Sequence, residues 1–377
     1  MEKNDLAIVL TGGGARAAYQ VGVLSALARR FPDLDLPILS GVSAGAINVA
    51  YLASRRGSLR EAVVGLAENW RRLEPESVFR VDAPSLGRYA MGWASRLVSG
   101  GMRWGREAPR SLLDTRPLRE LLQGLLAPGG GALRGVAENV ERGALKAVAI
   151  GATSYTTGQT VVWVQGSCDI QPWRRPRRRG TPTVLTVDHV MASTSLPLFF
   201  PAVEVHGAWY GDGGIRLATP LSPAIHLGAS RILAIATRYE RGAGEDEAVI
   251  SGYPPPAQVL GVALNAVFLD AIDEDALRLH ELNRMLGKLP QGQRELRQIK
   301  LLVVRPSRDL GRLSREFEPR LPAAFRFMMR GLGTRETRSP DMLSLLMFQP
   351  DYLRRLIEIG EQDAEAKSEE IEAFLAN

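Results

Sequence analysis

The sequence of 377 residues predicts an α/β protein, a three-layer sandwich around a central, mostly parallel sheet. Two observations carry this. The run Leu6-Ala7-Ile8-Val9-Leu10 is continuously apolar, as in a strand buried on both faces, and Gly12-Gly13-Gly14 breaks it before a helical pattern from Ala15 to about Arg30. A second unit follows at once: Ile38-Leu39 leads through Gly41-Val42-Ser43-Ala44-Gly45 into the small apolar helix pattern Ala46-Ile47-Asn48-Val49-Ala50-Tyr51-Leu52. Two successive strand, turn, helix units imply parallel strands.

From about Ala67 to Asn139 strand signals vanish, and Asp114-Thr115-Arg116-Pro117 reads as a capped helix start with proline in the first turn, so a helical insertion is expected there. Strands return at Leu145 to Ala152 and Thr160 to Gln165, with a polar hairpin turn at Thr153 to Gly158. Further strands are expected at Val203 to Val205, Arg231 to Ala236 and Lys300 to Val304, the last preceded by a long helical stretch from Ala257 to Met285. Beyond Pro306 the pattern is helical. Residues 1–306 are therefore expected to form the α/β domain and 307–377 a helical C-terminal extension, whose acidic run Glu361 to Glu372 reads as a solvated helix face.

Composition narrows the setting. A net charge of +6 favours anionic partners, be they membrane headgroups, acidic substrates or nucleic acid, without choosing among them. The lone Cys168 excludes an intramolecular disulfide framework, and the polar opening Met1 to Asp5 lacks the layout of a secretory signal, so a reducing cytoplasm is expected. No run approaches the roughly twenty consecutive apolar residues that span a bilayer, which makes any membrane contact peripheral. No cluster of histidine, cysteine and carboxylate has metal-ligand spacing, so neither metal nor cofactor is expected.

Ser43 lies two residues from glycine on each side at a strand-to-helix junction, the arrangement of a nucleophile elbow, where crowding would exclude side chains at Gly41 and Gly45. The helix that follows aims its unpaired N–H groups and positive dipole end at any developing oxyanion. Read alone, the pattern serves a structural turn equally well. Gly12, Gly13 and Gly14 end the neighbouring strand, and their backbone N–H groups form a candidate oxyanion hole; one such donor is worth about 3 to 4 kcal/mol in a transition state. A phosphate loop is the competing use, but a dinucleotide fingerprint would place glycine at position 17, which is Ala17, and the Gly-Lys-Ser/Thr of a P-loop is absent.

A serine nucleophile needs a base. His189, His206, His226 and His280 each sit in a helix, a hairpin or a charged helix face, and none has a convincing catalytic setting. Asp212, in Trp209-Tyr210-Gly211-Asp212-Gly213-Gly214 after an expected strand, is the better candidate, although by itself this is also a common turn sequence.

Together, the glycine loop, the Gly-x-Ser-x-Gly elbow and the Asp-Gly-Gly segment, in that order, resemble the patatin-like phospholipase family. Ala192-Ser193-Thr194-Ser195-Leu196-Pro197-Leu198-Phe199-Phe200-Pro201 is similar to the signature preceding that family's aspartate, so the resemblance runs from about residue 6 to 236. Ala17 is a departure, standing where the family's loop pattern ends in glycine. The resemblance implies a Ser43–Asp212 dyad without histidine, Gly12 to Gly14 as oxyanion loop, and Gly213 and Gly214 beside the carboxylate. It further implies hydrolysis of acyl esters, of the phospholipase A or lysophospholipase type. Acyl transfer, thioester hydrolysis and a catalytically silent lipid-binding protein are the alternatives.

Arg16, one turn into the first helix, is a candidate contact for a substrate phosphate, with a surface salt bridge as the competing reading. Met91 to Trp104 combines tryptophans and arginines with apolar residues, as a core helix and loop, a segment at a bilayer surface or a lid over the acyl pocket. Trp173-Arg174-Arg175-Pro176-Arg177-Arg178-Arg179 is a basic loop that reads first as a solvated loop, then as a contact for an anionic headgroup and last for nucleic acid, since no nucleic-acid module accompanies it.

Overall fold

The computed structural model describes residues 5–82, 111–240, 253–268, 271–290, 296–334 and 341–376, together with residues 84, 87 and 91. Apart from residue 91, the segment 91–104 singled out above lies outside the described residues.

Among the described residues, ten strands form one sheet. β1 (Leu6–Leu10), β2 (Ile38–Val42), β3 (Ala147–Ser154), β9 (Arg231–Ile235) and β10 (Lys300–Val304) run parallel in the spatial order β10-β9-β1-β2-β3. β4 (Thr160–Gly166) then pairs antiparallel with β3, and β6 (Arg178–Pro182) and β5 (Trp173–Arg175) complete that edge. β7 (Val203–Val205) and β8 (Ala208–Asp212) form a hairpin, and β8 joins the end of β3 antiparallel.

Side chains alternate across the sheet. Ile8, Leu10, Leu39, Ile150, Leu233 and Ile235 enter one apolar core with the helices α1 (Ala18–Arg30), α2 (Ala44–Ser54) and α3 (Leu59–Arg72). Ala7, Val9, Ile38, Ala149, Ile232 and Ala234 enter a second core with Ala224, Ile272 and Leu279 from helices Ser222–His226 and Ala271–Gly287. Burial on both faces explains why β1 reads as an unbroken apolar run, and gives the three-layer α/β sandwich that the sequence predicts.

Between β2 and β3 the described chain is helical. The helix Arg116–Leu126 starts after Thr115 with Pro117 in its first turn, and the Asp114 carboxylate accepts the Arg116 amide at 3.1 Å. The helical tract begins earlier than the composition indicates, because α3 opens at Leu59 with a capping box between Ser58 and Glu61.

The C-terminal helices do not form an appendage. Helix Pro350–Ala366 lies against α1 so closely that a Cβ on Gly22 would enter the Ile357 carbonyl, and one on Gly360 the Tyr19 carbonyl. Leu343, Leu353, Leu356 and Ile357 belong to the same core as Ile8 and Leu10. Residues 307–377 thus complete the α/β domain, which alone would expose one face of α1. Part of the acidic run is likewise engaged: Arg29 on α1 pairs with Glu361 at 3.2 Å and with Glu365 at 3.0 Å.

Candidate active site

Ser43 stands between the last residue of β2 and the first of α2. Its φ of 55° lies in the left-handed region, which a residue with a Cβ occupies at a cost of about 1 to 3 kcal/mol. The surroundings enforce it. A Cβ at Gly41 would sit 2.5 Å from the Gly45 carbonyl oxygen, and one at Gly45 would sit 2.6 Å from that of Thr11. Neither position accepts a side chain, and the strand can pass into the helix only through this sharp turn.

Asp212 ends β8, where its register opposite Ala152 of β3 brings it beside β2. The Ser43 hydroxyl donates to Asp212 Oδ2 at 2.6 Å, and the Gly214 amide donates to Asp212 Oδ1 at 2.8 Å. Gly213 is needed for this turn, since a Cβ there would run into the Gly151 carbonyl. Ser43 is 7% exposed and Asp212 0%. Burial raises the Asp212 carboxyl from its ordinary 3.8 to about 7, although the hydrogen bonds from Ser43 and Gly214 pull the other way. A carboxylate of that basicity is matched to proton transfer near neutral pH.

The four histidines lie elsewhere. His189 faces the Trp163 ring at 4.6 Å and accepts the Thr186 amide at 3.1 Å, His226 stacks on Trp173, His206 sits in the β7–β8 turn, and His280 Nδ1 is 2.8 Å from the Ala276 carbonyl oxygen. None is bonded to Ser43 or Asp212. Among the described residues, no group of three or more histidine, cysteine and carboxylate side chains could hold a metal ion.

The glycine loop passes directly over the serine: a Cβ on Gly12 would lie 3.1 Å from Ser43 Cβ. Gly13 (φ 152°) and Gly14 (φ 53°) take backbone shapes that suit glycine, and both are crowded, Gly13 by Thr237 Cβ and Gly14 by the Leu345 carbonyl. Among the described residues, the amides of Gly12, Gly13 and Gly14 are used in no hydrogen bond. The Ser43 amide, by contrast, is taken: it donates to Ser193 Oγ at 3.0 Å, and Ser193 donates to the Gly151 carbonyl at 2.6 Å. The serine's own amide is therefore not free for another acceptor, whereas those of the glycine loop are. A Gly14→Ala protein is expected to lose at least about 2 kcal/mol of stability, from the left-handed φ and the collision with Leu345. Denaturant unfolding measures this; an unchanged midpoint would contradict the packing described.

A buried polar chain fixes the loop from beneath. The Trp70 indole donates to Asn48 Oδ1 at 2.8 Å, Asn48 donates to Gln20 Oε1 at 3.0 Å, and Gln20 donates to the Thr11 carbonyl at 2.8 Å. Ala17 is fully buried, with its carbonyl accepting from Asn48, so the methyl group at the family's glycine position is accommodated.

Arg16 differs from the expectation for a substrate contact. Its side chain is buried, with one guanidinium nitrogen 2.5 Å from the Asp341 carboxylate and Nε donating to Ser344 at 2.7 Å. A cation already paired and shielded by helix Asp341–Leu345 ties the first turn to the C-terminal region instead.

From Ser43 a cavity runs between α2, α3, helix Arg116–Leu126 and the C-terminal segment. Its walls are almost wholly apolar, including Ile47, Leu66, Leu122, Leu196, Leu346 and Phe348. Ser193, Thr237 and the wall at Leu345 to Phe348 escape a reading of the sequence. Ser193 lies in the recognised segment but with no sign of its task, and Leu345 to Phe348 lie some three hundred residues from the serine.

The chain matches the family model of patatin-like phospholipase over residues 8–225, and it belongs to that family. That membership supports a lipid acyl hydrolase in the general sense. Among solved structures it is similar to human GIVD cytosolic phospholipase A2, solved with methyl gamma-linolenyl fluorophosphonate, at 16% identity and a TM-score of 0.46, over 100% of this chain and 59% of that one. VipD from Legionella pneumophila is similar at 14% identity and a TM-score of 0.34, over 92% of this chain and 67% of that one. ExoU from Pseudomonas aeruginosa follows at 16% identity and a TM-score of 0.32, over 91% and 70%. No curated protein matches the chain. The chain spans about three fifths of the length of the human enzyme.

Proposed function

We propose that the protein hydrolyses acyl esters of phospholipids or lysophospholipids through a Ser43–Asp212 dyad. The observation that carries this reading is the 2.6 Å hydrogen bond between Ser43 and a fully buried carboxylate, at the head of an apolar cavity. Ionised Asp212 takes the hydroxyl proton as Ser43 Oγ attacks the ester carbonyl. The oxyanion forms beneath the glycine-loop amides, and collapse expels the alcohol, which leaves with the proton from Asp212. Water, deprotonated by Asp212, then attacks the acyl-enzyme, frees the fatty acid and restores the serine. Ground-state strain at Ser43 keeps Oγ exposed to the carbonyl instead of folded back into the helix.

The apolar walls fit an acyl chain better than a headgroup, because each methylene buried contributes about 0.8 kcal/mol. With p-nitrophenyl esters from acetate to decanoate, kcat/KM is expected to climb with chain length by at least tenfold in all. A profile that peaks at acetate would assign the cavity another purpose and count against a long-chain lipid substrate.

A further inference from the structure

Helix Pro256–Phe268 buries Ala257 and Leu264 and leaves an apolar ridge exposed. Its outward ridge is Pro256, Val259, Val262, Ala263 and Ala266, with Val259 56% and Val262 63% exposed and no polar residue among them. Its two polar side chains, Gln258 and Asn265, are turned inward, each with a buried oxygen that has no hydrogen-bond partner. A helix facing water places these groups the other way round. The stretch Pro256–Gly287 is also long and apolar enough, by length and composition alone, to meet the criterion for a membrane span, and most of its most apolar part lies outside the interior. Asn265, Asp273, Glu274 and Asp275 interrupt it, which suits a helix lying along a surface better than one crossing a bilayer.

The position of the ridge matters. On the inner side of the helix a Cβ added to Gly261 would lie 3.6 Å from Asp341 Cβ, on the helix that leads into the cavity wall, and the helix also contacts Gly213–Ile215, the turn that follows Asp212. A basic rim occupies the same end of the sheet. Register places Asp212 opposite Ala152 and Thr160 opposite the next residue, Thr153; Thr160 in turn pairs with Arg178. The turn joining β5 to β6 therefore projects from the catalytic end and carries exposed Arg175 and Arg177, while the carbonyl of exposed Arg216 accepts from Thr160. None of these three arginines forms an ion pair among the described residues. Apolar ridge and unpaired cations side by side are complementary to one kind of surface, an apolar interior beneath anionic headgroups.

The geometry points to a docking face for anionic bilayers at the catalytic end of the sheet, with the ridge of helix Pro256–Phe268 inserted among the lipids and Arg175, Arg177 and Arg216 over the headgroups. This rests on the proposed lipid substrate for its purpose, but not for its test. Sedimentation with vesicles of phosphatidylcholine, with and without phosphatidylglycerol, is measured in a Ser43→Ala background, where turnover plays no part. Val259→Asp/Val262→Asp is expected to lower partitioning on mixed vesicles at least about tenfold. The milder Val259→Ser/Val262→Ser pair, a guard against misfolding, is expected to fall between the two, with melting unchanged. Arg175→Glu/Arg177→Glu is expected to weaken binding to the mixed vesicles alone, and the difference is expected to vanish at high salt. Unchanged partitioning of both valine variants would overturn the proposal. So would a self-association of wild type that the variants dissolve without affecting vesicle binding, since the ridge would then cover a second copy of the chain. Lack of ester turnover by the protein with Ser43 intact would instead overturn the reading of the dyad and leave the docking result standing.

Discussion

Replacement of Asp212 by asparagine is expected to lower kcat/KM for an ester by on the order of 10⁴-fold while leaving the protein as stable as before, or more so, at pH 8. Asparagine keeps the shape and can still accept from Ser43, but it takes no proton. The stability effect follows from burial. The folded carboxyl titrates at about 7, above its ordinary 3.8, so between those values the native state holds a proton that the unfolded chain has lost. Stability therefore falls as pH rises through this window, and above about 7 the fold retains a desolvated charge that the asparagine variant lacks. Activity runs the opposite way, because only the ionised carboxylate accepts the serine proton: kcat/KM of the wild type is expected to rise through about pH 7. Thermal melting and pH–rate profiles check both slopes. An asparagine variant with wild-type turnover, or an acid limb near 4, would remove Asp212 from the role of base.

Ser43→Ala carries the larger loss. Removing the atom that forms the acyl-enzyme is expected to reduce ester hydrolysis by on the order of 10⁶-fold, to the level that the oxyanion donors alone support. The structural consequence is small. Alanine inherits the same left-handed φ, which the crowding at Gly41 and Gly45 imposes whatever the side chain, and Asp212 keeps its bond from Gly214. A melting temperature within a few degrees of wild type beside the lost turnover separates chemistry from folding.

How far the sequence reaches depends on how local the physics is. Strands buried on both faces announce themselves, as in Leu6–Leu10, because every position must be apolar. Gly41 and Gly45 are legible because a turn between strand and helix leaves no room for a Cβ, and that constraint lies within five residues. Arg16 shows where such reading stops. Its charge at the head of α1 is visible, but the partner that neutralises it, Asp341, is more than three hundred residues away, and only the packing of the C-terminal helices on α1 brings the two together. The same distance hides the cavity wall at Leu345 to Phe348 and makes the C-terminal region look like an extension. The exposed ridge of helix Pro256–Phe268 is hidden for another reason: a helical apolar pattern does not say which of its sides is left uncovered.

The central claim is that Ser43 is the nucleophile, and covalent labelling with a fluorophosphonate probe, read by mass spectrometry of the digested protein, tests it most directly. The adduct is expected on Ser43, slowed by orders of magnitude in Asp212→Asn and absent from Ser43→Ala. Wild-type protein that stays unlabelled, or an adduct that persists when Ser43 is alanine, would contradict the account.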